Sequence, residues 1–193
     1  PFVLGLTGSI ATGKSTAAAM LREEGVAVWD ADAAVHRLYA PGGAAVPAVA
    51  ALAPSAVAGG AVDRAALRAA LEADPALWPR LEAAVHPLAA ADRRAFLEAA
   101  AGDIVALDVP LLYETGLDAD CDGVAVVSAP PQVQAARLSA RGLDAAAAAM
   151  LLARQMPDAE KRARARWVIP SATLDGARAA VRQMLADIRG GRG

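Results

Sequence analysis

The chain of 193 residues contains no asparagine, one cysteine, two histidines and only two lysines, and aromatic residues make up 4% of it. Each scarcity excludes something. A lone thiol, Cys121, cannot close an internal disulfide, so the fold rests on packing and not on covalent staples. His36 and His86 are too few for a histidine-rich metal centre. Without asparagine there is no Asn-Lys-x-Asp signature, which removes guanine-specific switches. The uncharged stretch from Ala44 to Val62 is cut by Pro47, Pro54 and Gly59-Gly60, so it cannot form the unbroken apolar helix a bilayer needs, and no membrane span is expected. A formal net charge of −2 gives no broad attraction to nucleic acid or anionic lipid, so phosphate recognition has to come from local sites. The opening residues lack the charged and apolar regions of a secretory signal, and the cytoplasm is the expected location.

Against that background, one of the two lysines falls in Gly8-Ser9-Ile10-Ala11-Thr12-Gly13-Lys14-Ser15, directly behind the apolar run Phe2-Val3-Leu4-Gly5-Leu6. Every other basic residue except Lys161 is arginine. The octet reads as a phosphate-binding loop between a strand and a helix. Its glycines let backbone N–H groups turn inward around a polyphosphate, Lys14 adds a point charge for the outer phosphates, and the Ser15 hydroxyl is placed to bind Mg²⁺. The helix starting near Lys14, with Thr16 in its first turn, aims its positive end at the anion.

Apolar strand candidates recur at Phe2–Thr7, Val26–Trp29, Ile104–Val109, Val124–Ser128 and Trp167–Ile169, with helical patterns between them. The alternation predicts an α/β fold in which a five-stranded parallel sheet is covered on both faces, in three layers. Between Ala33 and Gly102 no strand is expected, only helical segments punctuated by turn signals, which predicts a helical insertion over about 33–102. His86-Pro87 reads as an interruption of one of these helices. A second helical excursion follows the fourth strand, with breaks near Gly142 and Pro157, and a closing helix spans about 174–188. From Gly190 onward the chain is expected to fray.

Several side chains are candidates for chemistry. In Asp30-Ala31-Asp32 two carboxylates stand two apart at the end of the second strand, so an extended backbone points both the same way. Asp32 suits a general base toward an incoming hydroxyl, and Asp30 a metal or acceptor contact; the structural alternative is that Asp32 caps the following helix. Asp108 ends the apolar strand Ile104-Val105-Ala106-Leu107, where an acid can reach Mg²⁺ through water or serve turn chemistry alone. Glu114 is either an acceptor- or metal-orienting acid or an ordinary surface one. Arg137 and Arg141, four apart on one helix face, can neutralise charge spread over a transferring phosphoryl group, Arg141 beside Gly142 being the better placed. Closure of their segment over ATP is expected. Arg154 and the run Lys161 to Arg166 are mostly solvated, with further phosphate contacts as the alternative. His86 either contacts the acceptor or marks a turn.

These pieces, taken in order, resemble the dephospho-coenzyme A kinase family through nearly the whole chain. The motifs are Gly5-Leu6-Thr7-Gly8-Ser9-Ile10 leading into Thr12-Gly13-Lys14-Ser15-Thr16, Asp30-Ala31-Asp32, Asp63-Arg64, His86-Pro87-Leu88, Val109-Pro110-Leu111-Leu112-Tyr113-Glu114, Arg137 with Arg141, and Arg154-Gln155. The resemblance implies a P-loop kinase domain over 1–193 that phosphorylates the ribose 3′-hydroxyl of dephospho-coenzyme A with ATP and Mg²⁺. It implies that the insertion takes the acceptor and that a lid covers about 137–162. Catalysis would fall to Asp32, Lys14 and Arg141. ATP would be held by Gly8, Ala11, Thr12, Gly13, Lys14, Ser15, Thr16, Arg137 and Arg141. The acceptor would meet Asp32, Arg64, His86, Leu111 and Glu114, and the metal Ser15 and, through water, Asp108. Ala11 and Thr12 stand where the family often carries Gly and Ser, positions read as tolerant. Ser171 and Thr173 stand where it commonly carries Asn and Gly, so adenine recognition is not assigned to a side chain. Two other readings share the loop: a kinase of another small metabolite or nucleoside monophosphate, and an ATP-driven switch.

Overall fold

The computed structural model describes residues 1–191, so of the tail expected to fray, Arg192 and Gly193 lie outside the described residues. In chain order the elements are β1 (Phe2–Thr7), α1 (Lys14–Glu23), β2 (Ala27–Asp30), α2 (Ala31–Tyr39), α3 (Val46–Leu52), β3 (Val57–Ala58), β4 (Ala61–Val62), α4 (Arg64–Ala73), α5 (Leu77–Ala99), β5 (Ile104–Asp108), β6 (Gly123–Ser128), α6 (Pro131–Ala140), α7 (Ala145–Ala153), α8 (Asp158–Arg164), β7 (Trp167–Pro170) and α9 (Leu174–Arg189). They pack as two compact units, one formed by Pro1–Trp29 with the chain from Ala100 onward, the other by Asp30–Ala99.

The first unit is built on the five-stranded parallel sheet that the strand pattern predicts, in the order β2-β5-β1-β6-β7. All residues of β5 are buried, as a central parallel strand covered on both faces requires. One face is covered by α1 and α9. Ala177, Val181, Met184, Leu185 and Ile188 recur at helical spacing along α9 and meet Ala17, Met20 and Leu21 of α1 over Leu4, Leu6, Ala125 and Ile169. The register sets Leu6 of β1 opposite Asp108 of β5, so the phosphate loop and the terminal acid of β5 emerge side by side at the carboxyl end of the sheet. That end is where open α/β sheets place ligands.

The second unit is helical around a core of Leu38, Val49, Leu67, Leu71, Leu81 and Val85. It corrects the sequence reading twice. A two-stranded hairpin, Val57 opposite Val62, stands where no strand was expected. Strands of two residues are too short to show alternation, and the available sign was Gly59-Gly60, whose positive φ values of 58° and 77° suit a tight hairpin turn. His86-Pro87 does not interrupt its helix, because α5 runs unbroken through Pro87. A proline inside a helix costs about 3 kcal/mol. Leu81 and Val85, fully packed, together with Leu77 and Leu88 outweigh that by holding both sides of the proline to one core.

Candidate active site

The phosphate loop is shaped by contacts that leave no slack. A Cβ on Gly8 would lie 2.7 Å from the Val127 carbonyl oxygen, so the loop can pass β6 only with hydrogen at this position. Thr12 is buried, and its Oγ1 donates to the Ser9 carbonyl at 2.8 Å, which closes the turn from inside. Gly13, at φ 94°, precedes α1 without any side-chain cap, so the first-turn N–H groups of α1 are left for an anion. Lys14 pairs with Asp108 Oδ1; its side chain is 16% exposed and that of Asp108 3%. Ser15 and Thr16 are exposed on the first turn.

Ala11 adopts a backbone conformation that usually belongs to glycine. At φ 61° it is the one non-glycine residue in the left-handed region among the described residues. Such a conformation costs an L-residue roughly 1–2 kcal/mol. What offsets it is burial of the methyl group with Leu138 of α6 and Ala148 of α7, backed by Leu143 and Leu152.

The loop is also gripped from outside by the second helical excursion. Gln134 Nε2 of α6 donates to the Ile10 carbonyl at 2.7 Å, and the Ile10 N–H donates to Gln155 Oε1 at 3.0 Å. Arg137 donates to the Ala11 carbonyl at 3.4 Å and to the Ser171 carbonyl at 2.6 Å. Ser171 is buried; its Oγ donates to the Thr12 carbonyl and lies 3.2 Å from that of Ser128, joining the loop, β6 and the end of β7. Ser171 is therefore a latch on the backbone. Beside it lies a cavity of about 160 Å³ lined by Gly13, Thr16, Arg137, Arg141, Ser171 and Thr173. Arg141, the exposed C-cap of α6, forms no ion pair with the described residues and faces this cavity with its charge uncommitted.

Beyond β5, the motif residues meet α8. Lys161, expected in a mostly solvated run, is fully buried. It pairs with Glu114 Oε1 at 2.9 Å and donates to the Pro110 carbonyl at 3.0 Å, while Arg162, Arg164 and Arg166 are exposed as expected. Glu114 Oε1 also accepts the Met156 N–H at 2.8 Å. Burial pushes the Glu114 carboxyl up, but the Met156 N–H and the Lys161 ammonium outweigh it and hold the pKa below its usual value. Leu111 is 40% exposed in the same loop.

In the helical unit, α2 begins at Ala31, two residues earlier than an extended Asp30-Ala31-Asp32 would allow. The cap is Asp30, whose Oδ1 accepts the Ala33 N–H at 2.9 Å, and not Asp32. The two carboxylates are thus not aligned by strand geometry; Asp32 projects, exposed, from the first helical turn. Arg64 opens α4, exposed, and its positive charge bears on Tyr39. His86 is exposed on α5. Residue types had singled out neither Gln134 nor the latch role of Ser171. The signal for Lys161 was present: a second lysine kept in a chain that otherwise uses arginine.

A family model described as dephospho-CoA kinase matches residues 2–175. Among curated proteins, the chain is 62% identical to the dephospho-CoA kinase of Cereibacter sphaeroides, over 98% of this chain and 96% of that protein. It is 53% identical to that of a Jannaschia species, over 98% of each. A solved structure from Thermus thermophilus superposes with a TM-score of 0.86 at 35% identity, covering 97% of both chains. At lower identity, 22% and 15%, a dephospho-CoA kinase from Campylobacter jejuni (TM-score 0.73) and a shikimate kinase from Bacteroides thetaiotaomicron (0.52) share the fold.

Proposed function

The chain belongs to the dephospho-CoA kinase family, and we propose on that footing that it transfers the γ-phosphoryl group of ATP to the ribose 3′-hydroxyl of dephospho-coenzyme A. The products are coenzyme A and ADP, the last step of coenzyme A biosynthesis. The observation that carries the reading is the family match over residues 2–175, which takes in the phosphate loop, Asp30-Ala31-Asp32 and Pro110 to Glu114 alike.

The roles follow from what phosphoryl transfer demands. ATP lies with its phosphates in the loop from Gly8 to Thr16, against the uncapped start of α1, and its remainder toward the cavity beside Thr16, Arg137 and Ser171. As the 3′-oxygen attacks the γ-phosphorus, its proton passes to Asp32, the bond to the bridging β–γ oxygen breaks, and ADP leaves. Lys14 and Arg141 bear the charge that spreads over the transferring group. Lys14 is held at Asp108 until the phosphates compete for it. Arg64, His86, Leu111 and Glu114 meet the acceptor.

Mg²⁺ fits the residues present. A Mg²⁺ ion bound to nucleotide keeps several waters and needs one or two protein oxygens. The buried carboxylate of Asp108 already balances a cation, and Ser15 presents an exposed hydroxyl on α1. These two would hold the ion, Asp108 through water, and the ion would neutralise the phosphates. The unit Asp30–Ala99 is the acceptor-binding region in this reading, and a lid lies within about 137–162. Cytoplasmic residence is part of it; among the described residues no helix is long and apolar enough to cross a membrane.

The test is an acceptor panel with purified protein: dephospho-coenzyme A against adenosine, nucleoside monophosphates and shikimate, with ADP release measured with and without acceptor. Strong stimulation by dephospho-coenzyme A alone is expected. Turnover of another acceptor in its place would transfer the assignment to that substrate, and acceptor-independent release would point to a switch. Asp32→Asn tests the base cleanly, since Asp30 caps α2. A fall of about 10²–10⁴-fold in kcat is expected with helix content unchanged.

A further inference from the structure

Lys161 is the largest fully buried side chain among the described residues, and none of the roles above uses it. A buried ammonium is costly unless every donor is directed. Here two of its bonds have addresses, Glu114 Oε1 at 2.9 Å and the Pro110 carbonyl at 3.0 Å, and both lie in the loop that follows β5. The Pro110 carbonyl also accepts from Thr7 Oγ1 at 3.0 Å, so β1, the post-β5 loop and α8 meet at one oxygen. The Met156 N–H takes the same Oε1 as Lys161. Both contacts therefore fall on Oε1, so α8 and the chain just before it hold the Glu114 carboxylate by that oxygen.

We propose that Lys161 is a positioning residue for the acceptor: from α8 it fixes the Pro110–Glu114 loop and orients Glu114, so that Oε2 receives a hydrogen-bond donor of the acceptor nucleotide. The inference rests on the kinase reading above, in which Leu111 and Glu114 meet the acceptor. Its physical content is twofold. The ammonium sets the rotamer of Glu114 from behind, and its charge offsets a carboxylate that would otherwise repel an acceptor bearing phosphates. A solvated lysine could do neither, because it would have no fixed position.

A double-mutant cycle over Lys161→Met and Glu114→Gln separates positioning from bulk stability. Kinetics are run on the full chain with dephospho-coenzyme A and ATP varied independently, alongside thermal melts. A residue acting through Glu114 predicts that each single variant raises the KM for dephospho-coenzyme A by about tenfold, the loss of one charge-assisted bond, while the KM for ATP stays within about twofold. The double variant should raise it no further. Lys161→Met also lowers the thermal midpoint by about 10 °C, and the double variant, which removes both charges, recovers much of that. Should Lys161→Met yield no folded protein, Lys161→Gln, which keeps a donor for Pro110, takes its place in the cycle. Additive effects approaching a hundredfold, parallel rises in both KM values, or an unchanged acceptor KM in folded variants would each overturn the proposal. Turnover of dephospho-coenzyme A by the unaltered chain upholds the kinase reading whatever the variants do; an unaltered chain inert toward it removes both.

Discussion

The helices α7 and α8 are neighbours in the chain and opposites in attachment. α8 is rooted: Lys161 is fully buried, Asp158 Oδ2 accepts the Ser128 hydroxyl at 2.8 Å, and Arg164 reaches Asp118 at 3.1 Å while stacking 4.3 Å from the Tyr113 ring centre. α7 rests on the rest of the unit through a small apolar cluster, with Ala148 against Ala11 and Leu138, and it exposes Met150 by 66% and Leu151 by 37%. Directional bonds to charged groups hold position, whereas a few methyl contacts are individually weak, and among the described residues the one side-chain hydrogen bond from this piece to the phosphate loop is that of Gln155 with the Ile10 N–H, at its far end. Gly142, at φ 78°, and Met156 bracket the loosely held piece. Closure over ATP is therefore expected to move α7 and its flanks and to leave α8 in place.

The largest expected effect lies where the loose region meets the chemistry. Arg141 sits at the junction of α6 and α7, its charge uncommitted. Arg141→Ala should lower kcat by about 10³-fold, the scale of a removed phosphoryl-stabilising arginine. Because the side chain is exposed, the thermal midpoint should shift by no more than about 1–2 °C. A kcat within threefold of the unaltered chain would show that closure of α7 brings no charge to the reaction.

The rigid side of the comparison is next. Gly8→Ala places a methyl group 2.7 Å from the Val127 carbonyl oxygen, where neither loop nor strand has room to yield. A loss of about 1–3 kcal/mol is expected by chemical denaturation, together with weakened ATP binding by titration calorimetry. Normal ATP affinity in the variant would mean that the loop has more play than its contacts allow.

The contrast between the two helices also explains what was readable in the sequence. The five strands of the parallel sheet were legible because each is a short apolar run bounded by turn residues, and the phosphate loop because its chemistry is contiguous. Asp30 and Asp32 misled because helix α2 starts immediately, so a two-residue spacing that means one face in a strand means different faces in a helix. Gln134, Gln155 and Ser171 were opaque for another reason: each acts on a backbone carbonyl or N–H more than 30 residues away, and a backbone partner has no letter in the sequence. Lys161 looked solvated because its neighbours Arg162 and Arg164 are; burial of one position in a charged helix is decided by which face meets the sheet.

A smaller effect tests the polar anchor itself. The Glu114 pKa is lowered from its ordinary 4.5, so in the folded state it stays ionised to lower pH than in the unfolded chain. Its contribution to stability is present above about 4.5 and is lost as pH falls through the folded value. Gln keeps an oxygen that can accept from Lys161 and removes the charge. Glu114→Gln should thus be less stable than the unaltered chain at neutral pH by about 1 kcal/mol, discounted for partial exposure. The two melting curves should converge below pH 4.5. A gap that persists unchanged into acid would mean that the carboxylate's charge is not what holds the loop.

The smallest net effect belongs to Ala11, where both regions meet. Replacing it with glycine relieves a left-handed alanine, worth roughly 1–2 kcal/mol, and gives up a buried methyl group, worth about 0.8 kcal/mol. It also adds backbone entropy to the unfolded chain, about 0.5–1 kcal/mol. The terms nearly cancel, so the thermal midpoint should stay within about 3 °C of the unaltered value. Local behaviour should change all the same, because the methyl group is one of the few contacts on α7. Amide hydrogen exchange over 145–153 should accelerate in Ala11→Gly while exchange over 158–164 is unaffected. Equal acceleration in both helices would mean that α7 and α8 open as one piece, and the boundary drawn at Met156 would have to move to the far side of α8.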